Sequence, residues 1–161
     1  NKKNIFDILS MTIDELYDFF TKQNEKKIIR YLEPLIKVGL GYVKSGQTLS
    51  TLSGGELQRL KLASFLNNNL EKSILIFDEP TTGLHIHDIK KLLKSFNEII
   101  QKNNSIIVIE HNMEVIKSSD WIIELGPEGG ENGGELIFKG TPEEMIKKST
   151  NTSIELKNYL K

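Results

Sequence analysis

Two stretches constrain the fold of this chain more than any other feature. Residues 52–66 read Leu-Ser-Gly-Gly-Glu-Leu-Gln-Arg-Leu-Lys-Leu-Ala-Ser-Phe-Leu, and residues 74–80 read Ile-Leu-Ile-Phe-Asp-Glu-Pro. Ser53 stands three residues before Glu56, the spacing of a capping box. Leu57, Leu60 and Ala63 then recur at helical intervals. A helix therefore starts after Ser53, with Gly54, Gly55 and Glu56 as its first turn. Two glycines there cost about 1 kcal/mol each against alanine. They have a use where something must approach the backbone closely, because they bare N–H groups at the positive end of a helix, a ready anion site. The second stretch reads as a buried strand that delivers Asp78 and Glu79 at its C-terminal edge.

The rest of the chain alternates helices and strands. Thr12 and Glu15 form another capping box, followed by Ile13, Leu16, Tyr17 and Phe20 on one helical face. Ile28, Leu32, Leu35 and Ile36 mark a second helix, which Pro34 is expected to kink or restart. Residues 38–52 form a glycine-containing connection. Ile89, Leu92, Leu93, Phe96, Ile99 and Ile100 mark a long helix, and residues 105–109 a second buried strand. Asn112 caps a short helix. Residues 121–125 and 135–138 read as two more strands around a glycine-rich turn. Thr141, Pro142 and Glu144 open a last helix. This alternation predicts an α/β fold with a mainly parallel sheet flanked by helices, plus a helical N-terminal segment. The chain is expected to form a single domain over 1–161: a helical segment (1–50), a core (51–149) and a frayed helix or tail (150–161).

Composition excludes several classes. With 21 basic and 22 acidic residues the formal net charge is −1, so nothing general favours nucleic acid binding by this piece. Cysteine is absent, which rules out disulfides and cysteine-ligated zinc within these residues. No apolar run approaches the ~18 residues of a membrane span, so no membrane partner is expected.

Taken together, Leu-Ser-Gly-Gly-Glu (residues 52–56) and Ile-Leu-Ile-Phe-Asp-Glu-Pro (residues 74–80) resemble the signature and Walker B motifs of ABC ATPases. The resemblance extends to Asp-Glu-Pro-Thr-Thr-Gly-Leu-His (78–85), Val-Ile-Glu-His-Asn (108–112) and Asp-Trp-Ile-Ile-Glu-Leu-Gly-Pro-Glu-Gly-Gly (120–130). These are similar to the C-terminal part of the UvrA family, the damage-sensing ATPases of the excinuclease in bacterial nucleotide excision repair. The similarity covers about residues 4–146. It implies a P-loop NTPase-like half of the second ABC ATPase domain, cytoplasmic, acting on ATP with Mg²⁺.

The resemblance also implies roles. Asp78 would hold Mg²⁺, Glu79 would orient and deprotonate the attacking water, and His111 would contact the γ-phosphate. Ser53, Gly54, Gly55 and Glu56 would close over the ATP of the opposite site, and residues 81–85, ending in His85, would form the D-loop across that interface. Implied partners are the first ABC domain of the same chain, a homodimer of the full-length protein, UvrB, and damaged DNA. Zinc modules of the family would lie in other segments. Without these motifs, the two carboxylates would read as helix caps or lysine partners, and the histidine as structural.

A phosphate loop of the form Gly-x-x-x-x-Gly-Lys-Ser/Thr is missing. Residues 41–48 have its glycine spacing, but Gln47 replaces the lysine and no apolar strand precedes it. The chain therefore reads as a C-terminal fragment that alone should hydrolyse ATP negligibly. His85, His87 and Asp88 hint at a metal site but lack a complement of partners. The glutamates of residues 126–134 repel phosphate, so that loop reads as a turn. Rival readings are the ATPase domain of an ABC transporter, for which aspartate is expected in place of His85, and a non-catalytic ABC-like interaction module.

Overall fold

The computed structural model describes residues 3–68, 70–127 and 133–160. Where the sequence suggests one domain, contacts group the chain into two compact units, Asn1–Ile109 and Glu110–Lys161.

The first unit begins with three helices, α1 (Ile5–Ser10), α2 (Ile13–Lys22) and α3 (Lys26–Lys37). Asn4 with Asp7, and Thr12 with Glu15, close capping boxes at the first two. Ile13 and Leu16 of α2 bury against Leu32 of α3. Pro34 does not restart α3, which runs through it to Lys37. In the final turn a proline forfeits one N–H, and little helix remains beyond it to disrupt. The connection after α3 is strapped to the backbone of the α1–α2 junction. Ser45 N–H donates to Met11 O, Gly46 N–H to Leu9 O and Ile13 N–H to Val43 O, all at 2.9 Å. Two amides of the glycine-spaced loop are thus engaged by the chain itself.

A single 3₁₀ turn (Leu49–Thr51) leads into α4 (Gly54–Asn67). Strand β1 (Ile74–Asp78), helix α5 (Ile86–Ile100) and strand β2 (Ser105–Ile109) follow. β1 and β2 pair in parallel, from Ile74 opposite Ser105 to Asp78 opposite Ile109. Leu75 and Phe77 point into a core with Val38, Leu40, Leu62, Leu92, Phe96 and Ile99. The other face is not buried as the apolar runs suggest. Ile74, Ile76, Ile107 and Ile109 are 69, 66, 52 and 56% exposed. A run apolar on both faces signals a sheet covered on both faces, and within this unit helices cover only one.

The second unit holds α6 (Met113–Lys117), β3 (Ile122–Gly126), β4 (Glu135–Gly140), α7 (Pro142–Met145) and α8 (Asn151–Tyr159). β3 and β4 pair antiparallel, as strands joined by a short connection can. Most of the glycine-rich turn, residues 128–132, lies outside the described residues. Phe138, Met145 and Leu156 form this unit's core. Of the frayed helix or tail expected at the C-terminal end, the structure forms the helix. Thr150 caps α8, and Ser153 and Leu156 are fully buried. Few apolar side chains mark it, so periodicity gave little sign of it.

Truncating the core should be costly and trimming the open sheet face should not. Leu62→Ala or Leu92→Ala is expected to lower unfolding free energy by about 2–5 kcal/mol. Ile76→Thr in the same 161-residue chain should change it by less than ~1 kcal/mol. Urea unfolding of the three variants checks this.

Candidate functional site

The acidic edge is built by the end of β1 and the turn that follows it. Asp78 pairs with Ile109, and the ladder extends one step further, with Glu79 N–H donating to Ile109 O at 2.9 Å. There the chain reverses. Glu79 adopts a left-handed backbone, φ +47°. That conformation costs an L-residue roughly 1–2 kcal/mol, and the following Pro80 favours an extended one instead. Thr82 N–H donates to Glu79 O at 3.1 Å, closing a β-turn with Pro80 at its second position. Such strain persists only where surrounding contacts hold it, and it concentrates at functional sites. Both Asp78 and Glu79 are exposed. An open carboxylate at a strand end suits Mg²⁺, which binds through one or two protein carboxylates and completes its shell with phosphate and water oxygens.

The glycine-opened helix start is formed as its sequence predicts. Ser53 Oγ accepts from Glu56 N–H at 3.3 Å, and Glu56 Oε2 accepts from Ser53 N–H at 2.7 Å. The other carboxylate oxygen of Glu56 takes the Tyr42 hydroxyl. Glu56 is therefore committed to holding the turn, which leaves Ser53 and Gly54 as the exposed residues of the motif. The two glycines differ. A Cβ on Gly54 would meet nothing within 4 Å, whereas on Gly55 it would lie 3.1 Å from Thr82 O and 3.3 Å from an Arg59 guanidinium nitrogen. Gly55 is small so that the acidic turn can pack on it. Gly54 has no such reason among the described residues.

The buried face of α4 is Gly55, Arg59, Leu62 and Ala63, rotated from the Leu57–Leu60–Ala63 face read from hydrophobicity. Sequence reasoning missed Gln58 and Arg59 for this reason. Gln58 clasps the backbone of Asp78 on both sides: its Oε1 accepts from Asp78 N–H at 2.8 Å, and its amide donates to Asp78 O. Arg59, 1% exposed, donates to Pro80 O and Thr82 O at 3.0 Å each. The structure thus brings together Gly55, Asp78, Glu79 and the 80–82 turn. A polar residue at helical register with apolar ones was the available signal.

His85 stands at the N-cap of α5 without a side-chain cap bond, and it is exposed like His87. Asp88 pairs with Lys91 at 2.9 Å. Among the described residues, no group of three or more His, Cys, Asp or Glu could hold a metal. His111 lies in the second unit, two residues past β2 in sequence, and is exposed. Its N–H donates to Glu110 Oε2 at 3.1 Å, while Asn112 caps α6 through Glu114 N–H at 3.0 Å. No helix among the described residues is long and apolar enough to cross a membrane.

Comparison with known proteins agrees with the motifs. The chain is 52% identical over 161 residues to UvrABC system protein A of Aquifex aeolicus (strain VF5), spanning 99% of this chain and 17% of that protein. Over 160 residues it is 52% identical to the Staphylococcus aureus (strain COL) protein and 49% identical to that of Brucella abortus (strain 2308). The solved structure of UvrA2 from Deinococcus radiodurans superposes with a TM-score of 0.86 at 42% identity, over 99% of this chain and 20% of that one. No family model matches. The likeness to UvrA and to its ABC ATPase fold is therefore shown over nearly the whole chain, which spans about a sixth of the length of the curated relatives it matches.

The Glu56 carboxyl is held below its ordinary value of 4.5, first by the Tyr42 hydroxyl and then by the Ser53 N–H. A lowered folded-state pKa means that this contribution is present above the ordinary glutamate value and is lost as pH falls through the lowered one. Below pH 4.5, native protein should lose stability more steeply than Glu56→Gln, in unfolding midpoints measured across that range. Gly55→Ala should destabilise, while Gly54→Ala should be neutral or stabilising by up to ~1 kcal/mol.

Proposed function

We propose that this chain is the signature, Walker B and H-loop portion of a UvrA-type ABC ATPase of nucleotide excision repair, working in a longer protein. The observation that carries this reading is the strained Glu79, seated next to an open Asp78 at the end of a parallel strand. A general base must be positioned before it is tuned. The left-handed backbone turns the Glu79 carboxylate off the strand axis, while the Asp78 backbone stays in the ladder.

In this reading Asp78 is the residue that would hold Mg²⁺, which would supply neutralisation of phosphate charge. Glu79 orients a water on the γ-phosphate of ATP and takes its proton. His111 acts on the same phosphate, and His85 belongs to the D-loop that meets the facing domain. Ser53, Gly54 and Gly55 present the start of α4 to the ATP of the opposite site, where unpaired N–H groups and the helix dipole stabilise the transferred charge. The freedom around Gly54 supports this role. Glu56 serves that site by fixing the turn. The facing surface is the first ABC domain of the same longer chain. Closure on ATP and opening on hydrolysis would gate homodimer contacts, release of damaged DNA and transfer to UvrB in the cytoplasm. The relatives' names favour this over a transporter ATPase.

Glu79→Gln in the full-length protein should retain ATP and slow its turnover by about 10²-fold or more, with slower release of damaged DNA. Unchanged turnover would favour the non-catalytic module. The 161-residue chain alone, which contains no Gly-x-x-x-x-Gly-Lys-Ser/Thr, should show no turnover that Glu79→Gln abolishes.

A further inference from the structure

We infer that Arg59, with Gln58, is a positioning residue that transmits the state of one nucleotide site to the catalytic carboxylate of the other. The inference rests on the reading above, in which the start of α4 and the end of β1 serve different nucleotides. Arg59 is almost fully buried, and its two hydrogen bonds go to the backbone carbonyls of Pro80 and Thr82. Its Nε has no hydrogen-bond partner among the described residues. Such an arrangement is a poor way to stabilise a fold. A buried cation loses several kcal/mol of hydration, and an apolar side chain of similar volume is often as good or better. What the guanidinium adds is geometry: its terminal Nη1 alone bridges two carbonyls of the turn that begins at Glu79.

The same guanidinium also borders the other end of the link. Arg59 lies close enough to Glu56 and Tyr42 to influence the titration of both, and its nitrogen bounds the space next to Gly55. Gln58 fixes the adjacent point by standing in for a neighbouring strand at Asp78. Helix α4 is stiff over its first turns, so a shift of its glycine-opened end, when that end closes on a phosphate, carries Arg59 with it. Arg59 in turn carries the Pro80 and Thr82 carbonyls, and with them the strained Glu79. A displacement of about 1 Å at a reacting group can cost 10²-fold in rate, so the link need move Glu79 only slightly.

The test uses the full-length protein and ATP turnover at saturating nucleotide. Arg59→Met should lower kcat by about 10- to 100-fold with KM changed less than about threefold. Arg59→Lys, which keeps charge and donors, should recover part of the loss. Gly54→Ala, placed in both backgrounds, supplies a double-mutant cycle. Its effect on kcat should be at least about threefold smaller once Arg59 is methionine, because the signal it perturbs no longer arrives. If the two effects simply multiply, or if Arg59→Met leaves kcat intact, the link does not exist. If Arg59→Met does not fold, Gln58→Met decides by the same cycle: about a tenfold loss of kcat, non-multiplicative with Gly54→Ala, supports the link, and an unchanged or multiplicative kcat overturns it. Glu79→Gln measured alongside separates the two levels. If it leaves turnover intact, the catalytic reading itself fails. If it abolishes turnover while the cycles are multiplicative, only the coupling does.

Discussion

The interaction on which the rest of the first unit depends is the grip of α4 on the end of β1. Parallel pairing alone would leave Asp78 at a frayed strand terminus with one partner, Ile109. The Gln58 amide supplies the missing donor and acceptor on the opposite edge, and Arg59 Nη1 holds the Pro80 and Thr82 carbonyls of the turn. Only under such restraint can Glu79 persist in a left-handed backbone ahead of a proline. The same packing explains why one of the two glycines is needed for the fold: Gly55 admits the turn, so the acidic edge and the helix start form one rigid junction.

That junction changes the meaning of the glycine pair. Read as a sequence, Gly54 and Gly55 make one anion-binding motif. In the structure they divide the work. Gly55 answers to a neighbour in the chain, Thr82, and Gly54 to nothing among the described residues. Glu56 is likewise drawn inward by Ser53 and Tyr42. The exposed part of the motif reduces to Ser53 and Gly54, a small polar surface.

Much of this was legible beforehand because it is local. Capping boxes at Thr12, Ser53 and Thr141 depend on residues three apart, and each forms as read. The strand ending in Asp78 and Glu79 is set by a short apolar run and a proline. Long-range facts were less visible. Hydrophobicity placed the inner face of α4 on Leu57 and Leu60, since nothing local reveals that a buried arginine can find two carbonyls some twenty residues away. Helix α8 was left open between a frayed helix and a tail because Leu156, with Phe138 and Met145, completes a core contributed mostly by other elements.

The exposed isoleucines lead to the same place from the opposite direction. β1 and β2 are apolar on both faces, yet their own unit covers one. Two strands with one bare apolar face form a marginal sheet, and four exposed isoleucines on that one face form a patch of a kind that monomers seldom leave open. The sequence therefore specifies a strand pair for a setting richer than these residues provide, in keeping with a segment that spans about a sixth of its relatives' length. Gly54 shares this openness, since a Cβ there would meet nothing within 4 Å among the described residues.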